Sequence, residues 1–270
     1  MLRRLGSKSR LIHQLLHLFP AQIDAFIDLF FGSGAVSFAM LDRVQYVFAN
    51  DNDADIFNLF LVLKERREEL TQAMRRMPAH EALFKHWKTH EERDPIWRAC
   101  RFLFFSNFGY LGMPETMRHD KHHARACLLR DLDRAFELIQ QIDFFCCDFR
   151  DVFKKLHWRH PAREMPRAFI YADPPYLHTG NNYAAGFTMA DTADLFELLA
   201  QSGMRFAISE FDAPEILDLA AAHGLRHQPA QFTAQLFLGR LRPAGAQAAA
   251  RLRHGHVPVR VLGGEERLGR

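Results

Sequence analysis

Short apolar runs rich in β-forming residues recur along the chain, and polar or glycine-bearing residues follow each of them. These runs predict strands, which we expect at 25–31, 45–49, 142–147, 168–172 and 205–209. The run at 168–172 is apolar on both faces, which is typical of a strand buried in the middle of a sheet. The pattern therefore predicts an open α/β sheet.

Apolar residues recur at helical spacing between these runs. The spacing predicts helices at 11–19, 55–64 with a continuation to about 76, 131–141, 191–201 and 214–223. The segment from 78 to about 130 differs in character, because it carries many His, Arg and Lys residues with aromatic residues between them. We expect part of this aromatic content to form a small core.

Asp173, Pro174, Pro175 and Tyr176 follow the buried run directly. Neither proline can donate to a sheet ladder, so Asp173 is expected at the carboxyl end of the strand, where open α/β sheets bind ligands. A carboxylate and the Pro174 carbonyl can accept both N–H bonds of an exocyclic base amine, which frees its lone pair for attack on a methyl donor. The Tyr176 ring can stack on a flipped base. An ordinary surface turn is the alternative, since Asp-Pro commonly starts turns.

Two other strand ends carry candidate ligand-binding residues. Gly32 and Gly34 let the backbone pass close to a ligand after the first strand, although Ser37 stands where a dinucleotide fingerprint has its third glycine. Asp51 lies nearest to the end of the second strand and suits the hydroxyls of a ribose. The alternative for Asp51 and Asp53 is an N-cap of the following helix, and both roles are compatible.

Three further segments carry weaker signals. The turn at 6–8 precedes the first predicted helix and suits an anion, with Lys8 adding a charge, although a simple polar cap explains it equally. Asp148 follows the third strand, where an acid suits the amino group of an adenine ring. The segment 106–112 has the composition of an exposed glycine-bearing loop, whose aromatic and amide side chains would contact DNA. Its rings belong to a core in the alternative interpretation.

The composition narrows the class of protein. The 270 residues are 48% hydrophobic and 25% charged, and no apolar run approaches the ~20 residues that span a membrane. The start of the chain lacks a signal-peptide pattern and the four cysteines form no Cys-x-x-Cys pair, so we expect a cytoplasmic, reduced protein without a disulfide framework or a metal site. The net charge of +3 is compatible with nucleic-acid binding.

The segments 6–8, 28–34, 50–51 and 173–176, in this order, resemble the Dam-like DNA adenine N6-methyltransferase family, including its phage and restriction-modification members. The resemblance covers about residues 1–210. It implies a Rossmann-like S-adenosylmethionine-dependent methyltransferase sheet with an inserted, mainly helical target-recognition domain. The inserted domain is expected at 65–130, and the catalytic domain at 1–64 and 131–270.

The resemblance also implies the reaction and the residues that perform it. The enzyme would transfer a methyl group from S-adenosyl-L-methionine to the N6 amine of a flipped adenine in a specific double-stranded DNA site, and a cognate restriction endonuclease would act on the same site. The implied catalytic residues are Asp173, Pro174, Pro175 and Tyr176. The implied cofactor-binding residues are Lys8, Asp28, Phe31, Gly32, Gly34, Asp51, Asp148 and Asp173. The implied DNA-binding residues are Asn107, Phe108 and Tyr110.

Other readings of the motifs stay open. A cytosine N4-methyltransferase more often has Ser before the two prolines, and an RNA or protein-glutamine methyltransferase more often has Asn there. A catalytically impaired DNA-binding relic is a further alternative: the intact Lys8, Asp51 and Asp173 argue against it, whereas the C-terminus gives it some weight. The final forty residues contain neither lysine nor aspartate, and the composition of 243–270 predicts an irregular tail. The family's terminal antiparallel strands are expected at 231–241 and 257–262.

Overall fold

The computed structural model describes residues 12–118, 122–155, 167–176, 186–228 and 235–239. The strands are β1 (Ala25–Asp28), β2 (Tyr46–Asn50), β3 (Ile142–Phe145), β4 (Ala168–Ala172), β5 (Arg205–Glu210), β6 (Arg226–Gln228) and β7 (Gln235–Gly239). The helices are α1 (Ile12–Leu18), α2 (Ala35–Met40), α3 (Ala54–Glu65), α4 (Arg67–Arg76), α5 (Glu81–Thr89), α6 (Pro95–Phe108), α7 (His122–Ile139), α8 (Phe149–Lys155), α9 (Met189–Gln201) and α10 (Pro214–Ala222). A short 3-10 helix, Tyr110–Gly112, follows α6.

The strands form one sheet in the order β3-β2-β1-β4-β5-β7-β6. The strands from β3 to β5 are parallel, whereas β7 is antiparallel to both of its neighbours. All residues of β1 and β4 are buried, as expected for central strands covered on both faces. The α/β fold and the five strands predicted from apolar runs are confirmed, with ends that differ by at most three residues.

Each face of the sheet carries its own hydrophobic cluster, because successive strand side chains point to opposite faces. Phe26 and Phe169 point into the larger cluster, which the helices α1 to α7 complete. Ile27 and Ile170 point into the smaller cluster, which α8, α9 and α10 complete. The two clusters hold the central strands in place, so the loops at their carboxyl ends start from fixed positions.

The helices α3 to α7 lie between β2 and β3 along the chain. The predicted helix 55–76 is split at Arg66, whose backbone leaves the helical region with φ −133° and ψ 40°. The helix α7 begins nine residues earlier than predicted, since its buried residues Ala124 and Leu128 extend the apolar stripe towards the amino terminus. Trp87 of α5 belongs to the same continuous cluster as the sheet, so the boundary at 65–130 stays a prediction.

The terminal antiparallel pair differs from the expected one. The strand predicted at 231–241 is confirmed as β7, which pairs with β5 from Phe206↔Gly239 to Glu210↔Gln235. Its other neighbour is β6, which the sequence does not reveal because Arg226, His227 and Gln228 lack the apolar signature of a strand. The strand expected at 257–262 and the tail 243–270 lie outside the described residues.

Candidate active site

The predicted strand-end acids lie along one edge of the sheet. Asp28 ends β1, Asp51 follows β2 and Asp173 follows β4, and β1 lies between the other two strands. The charges of Asp51 and Asp173 both reach Asp28, whose pKa they raise. Asp148 follows β3, one strand beyond β2. The parallel arrangement therefore gathers carboxylates from four strands at the edge where such sheets bind ligands.

Gly32 and Gly34 form the tight turn between β1 and α2. Both have positive φ, 53° and 74°, a region that favours glycine. A Cβ atom at Gly34 would also lie 2.5 Å from the Phe31 ring and 2.7 Å from the Phe38 ring. The Phe31 ring is buried and packs edge-on against Phe38 and Phe60. The Phe31 ring therefore supports the turn from the core side, and a role for Phe31 in cofactor binding stays a prediction.

Asp51 joins the end of β2 to the glycine turn. Its Oδ2 accepts a hydrogen bond from the Gly32 amide at 2.7 Å, and its Oδ1 accepts one from the Asp53 amide at 2.9 Å. Asp53 is the N-cap of α3, since its Oδ1 accepts from the amides of Asp55 and Ile56. The two acids therefore divide the two roles: Asp53 caps the helix, and the half-buried Asp51 carboxylate lies beside the turn.

Asp28 lies beneath the turn and is only 2% exposed. Its Oδ2 accepts a hydrogen bond of 2.6 Å from the Ser37 hydroxyl, and its Oδ1 accepts one from the Phe30 amide. Burial, together with the charges of Asp173 and Asp51, raises the pKa of Asp28 to about 7 although the Ser37 hydrogen bond lowers it. Asp28 therefore supports the turn from inside the protein, and its role in cofactor binding stays a prediction.

Asp173 and Tyr176 are hydrogen-bonded to each other. The Tyr176 hydroxyl donates to Asp173 Oδ1 at 2.9 Å and lies 3.1 Å from the Ser209 hydroxyl, which comes from β5. The Tyr176 ring packs edge-on against Phe211 with centroids 4.7 Å apart. Burial raises the pKa of Tyr176, and the charge of Asp173 raises it further, so the phenol stays protonated and remains a donor. Pro174, which lies between Asp173 and Tyr176 in the chain, is buried.

Asn50 belongs to the motif at 50–51, and the structure gives its side chain a structural role in the site. Its side-chain amide donates to the carbonyls of Leu29 and Cys147, at 3.2 and 2.9 Å, and its Oδ1 accepts from the Cys147 amide. Asn50 therefore ties the segments that follow β1 and β3 to the end of β2. The sequence signal for this role was the position of Asn50 at the end of a strand, next to Asp51. A buried side-chain amide at such a position needs several hydrogen-bond partners.

Asp148 lies in an ion network centred on Arg150, a residue that the sequence reading did not single out. The Arg150 guanidinium lies 3.2 Å from Asp148 Oδ2, donates to Asp191 at 2.6 Å and to Asp194 at 2.8 Å, and covers the Phe149 ring at 4.4 Å. Asp191 belongs to the capping box of α9. The network thus links the segment after β3 to the start of α9 and orients the half-exposed Asp148 carboxylate.

The predicted DNA-binding residues divide between core and surface. Asn107 and Phe108 form the last turn of α6 and are 4% and 0% exposed, so the prediction of an exposed loop is wrong for both. The Asn107 amide donates to the Leu103 carbonyl within the helix. Tyr110 is 63% exposed at the start of a loop that returns to α6, where the Arg118 amide donates to the Phe108 carbonyl at 2.7 Å.

Some predicted features lie outside the described residues. Two further expectations, on metal sites and membrane-spanning helices, are considered only within the described ranges. Lys8 and the turn at 6–8 precede the first described residue. Within the described ranges, no three His, Cys, Asp or Glu side chains are grouped so as to hold a metal ion. A helix with the length and apolar character to cross a membrane is likewise absent from those ranges.

The chain is similar to several proteins of known class. DNA adenine methylase of Salmonella typhimurium is 26% identical over 83% of this chain and 86% of its own length, and that of Escherichia coli K12 is 26% identical over 72% of each. Modification methylase StsI of Streptococcus sanguinis is 25% identical over 77% of this chain and 34% of its own length. A solved rRNA methyltransferase of Streptomyces viridochromogenes covers 87% of this chain and 86% of its own, with 14% identity and a TM-score of 0.40.

The family model for the D12 class of N6 adenine-specific DNA methyltransferases matches residues 5–218. This range includes the glycine turn, Asp51 and the segment 173–176, and it extends through the inserted helices. The resemblance drawn from the sequence motifs is thereby confirmed. The match spans most of the chain, and the chain belongs to the D12 class N6 adenine-specific DNA methyltransferase family.

Proposed function

We propose that this chain methylates the N6 amine of a flipped adenine in a specific double-stranded DNA site, with S-adenosyl-L-methionine as methyl donor and Asp173 as the acceptor for the amine. The observation that carries the assignment is the position of Asp173. It follows the central strand β4, directly beside the β1 strand that leads into the glycine turn. A nucleophile held at Asp173 and a donor held at the turn would therefore meet at adjacent strand ends.

The polar groups at this edge fit the chemistry of S-adenosylmethionine. The half-buried Asp51 carboxylate suits the hydroxyls of the ribose, and Asp148 suits the amino group of the adenine ring. The open conformation of Gly32 leaves room along the turn, since a Cβ atom there would meet only a carbonyl at 4.0 Å. Lys8 stays a predicted contact. When bound, S-adenosylmethionine supplies a methyl group made electrophilic by its sulfonium.

The residues of the segment 173–176 prepare the amine for attack. The lone pair of an adenine N6 amine is delocalised into the ring, and this makes the amine a poor nucleophile. Asp173 and the Pro174 carbonyl accept its two N–H bonds and favour a tetrahedral nitrogen with an available lone pair. The Tyr176 ring stacks on the flipped base and holds the amine in line.

Asp173→Ala tests the assignment. We expect methylation of duplex DNA to slow by at least about 100- to 1,000-fold, the usual effect of removing one preorganised charge-stabilising group. Asp143→Ala is the matched control, because it deletes an exposed carboxylate from β3 and should leave the rate unchanged. Single-turnover methylation and thermal unfolding are measured for both variants. Near-normal turnover of the Asp173 variant would refute the proposal.

We also propose a restriction endonuclease that cuts the same unmethylated site as the biological partner. The similarity to modification methylase StsI and to type II methyltransferase M.FokI supports this pairing. The reaction would take place in the cytoplasm of a bacterial or phage-infected cell, where the DNA lies. Methylation-aware sequencing of DNA from cells that express the protein would give the recognition site, and methylated and unmethylated copies of that site then test any neighbouring nuclease.

A further inference from the structure

We propose that Ser209 is a positioning residue: it accepts the hydrogen bond of the Tyr176 hydroxyl when an adenine amine donates to Asp173. The inference rests on the proposed function and concerns the same site. Ser209 belongs to β5, the parallel neighbour of β4, and is 2% exposed. Its hydroxyl lies 3.1 Å from Tyr176 Oη, which in turn lies 2.9 Å from Asp173 Oδ1.

Within the protein, Tyr176 already donates a hydrogen bond to the Asp173 carboxylate, which would have to accept the substrate amine. Asp173 Oδ1 accepts the Tyr176 hydroxyl in this structure, whereas methylation requires the carboxylate to accept an N–H of the base. A phenol has one proton and donates one strong hydrogen bond at a time. As long as Tyr176 donates to Asp173, the carboxylate is a weaker acceptor for the amine, because part of its charge is already neutralised by a donor.

Ser209 lets Tyr176 release Asp173 without moving. A hydroxyl proton rotates freely about its C–O bond, and a serine oxygen both donates and accepts. With Tyr176 donating to Asp173, Ser209 donates to Tyr176. When the amine arrives, the Tyr176 proton turns to Ser209, and the Ser209 proton turns towards the buried Tyr171 hydroxyl of β4. The heavy atoms need not shift, so the Tyr176 ring keeps its packing on Phe211 and its position for stacking on the base.

The test is a double-mutant cycle of Ser209→Ala and Tyr176→Phe, read by single-turnover methylation of duplex DNA. In the chain with Tyr176, loss of Ser209 should slow methyl transfer about tenfold, the effect of one hydrogen bond of ordinary net strength. In the Tyr176→Phe background the same loss should change the rate by less than about twofold, because no hydroxyl then competes for Asp173. Affinity for S-adenosylmethionine, measured by calorimetry, should not change with Ser209.

Ser202→Ala is the matched control. Its hydroxyl donates to the Leu199 carbonyl at the end of α9, which precedes the amino-terminal end of β5 and so lies at the opposite edge of the sheet. Its loss should not slow methylation. If Ser209→Ala fails to fold, Ser209→Thr and Ser209→Val replace it, since they differ only in the hydroxyl that the inference invokes. Equal slowing by Ser209→Ala in both backgrounds, or no slowing with Tyr176 present, overturns the inference while leaving the proposed function intact.

Discussion

The glycine turn at 30–34 and the segment 107–110 both combine phenylalanine with glycine, yet they occupy different kinds of position. In the turn, Gly34 is crowded by the Phe31 and Phe38 rings, and its left-handed backbone directs the chain along the ligand-binding edge. In the second segment Gly109 ends α6 with an ordinary φ of −76°, but a Cβ atom there would clash with the Met113 carbonyl oxygen and lie 2.6 Å from that of Phe105. The comparison teaches that both glycines mark close packing within the protein, but only Gly34 also has the left-handed backbone that turns the chain at a strand end.

The largest effect is expected from Phe108→Ala, which tests the core assignment of the second segment. Phe108 is fully buried and packs on Phe104 with ring centroids 5.0 Å apart. Truncating such a ring leaves a cavity and should cost about 3–5 kcal/mol of unfolding free energy, measured by denaturant titration. The folded fraction should retain its affinity for DNA and for S-adenosylmethionine. Unchanged stability with a selective loss of DNA binding would return Phe108 to the DNA interface.

The next effect concerns the pH dependence of the unfolding free energy. It tests whether the Asp28 carboxyl beneath the turn is buried. The pKa of Asp28 is about 7 in the folded chain and ordinarily 3.8. Between these values the folded state holds a proton that the unfolded state lacks, so raising the pH favours unfolding. At about 1.4 kcal/mol per pH unit, this contribution falls by up to about 4 kcal/mol from pH 4 to pH 7 and then levels off.

Asp28→Asn isolates this contribution, because asparagine keeps the shape and an acceptor for Ser37 but does not titrate. Urea titrations of both proteins at several pH values give the difference in unfolding free energy. We expect the variant to gain stability relative to the original chain as the pH rises towards 7. Parallel pH profiles of the two proteins would show that Asp28 is not held in a buried, protonated form.

The two regions also show what sequence reasoning reaches. The positions of five strands along the chain, the glycine turn and the strand-end acids could be predicted, because backbone conformation and strand periodicity are local properties that proline, glycine and apolar runs report. Phe108 could not be placed, since only the packing of α6 against its neighbours buries it. Ser209 and Arg150 were missed for a related reason. Their partners, Tyr176 and Asp191, lie far along the sequence, and a lone serine or arginine carries no signature of such a contact.

Asp51→Ala sharpens the comparison at the turn, with Asp53→Ala as its control. Asp51 accepts from the Gly32 amide and is the proposed acceptor for the ribose. Its loss should weaken S-adenosylmethionine binding by about 1.5–3 kcal/mol, the range for hydrogen bonds to a charged group, and leave DNA affinity nearly unchanged. Asp53→Ala removes the N-cap of α3 and should cost about 1 kcal/mol of stability without changing cofactor affinity. An Asp51 variant impaired only in DNA binding would place this residue in another site.

The smallest effect is expected from Tyr110→Ala, which tests the exposed end of the second segment. Tyr110 is 63% exposed, so its removal should change the unfolding free energy by no more than about 0.5 kcal/mol. If its ring stacks on a base, affinity for duplex DNA should fall by about 1–3 kcal/mol, while S-adenosylmethionine affinity stays constant. Tyr46→Ala is the matched control: Tyr46 is also exposed, at 54%, but begins β2 at the edge of the sheet opposite the strand-end acids. Equal DNA affinities for the two variants would remove Tyr110 from the interface and leave recognition to other residues of the inserted helices.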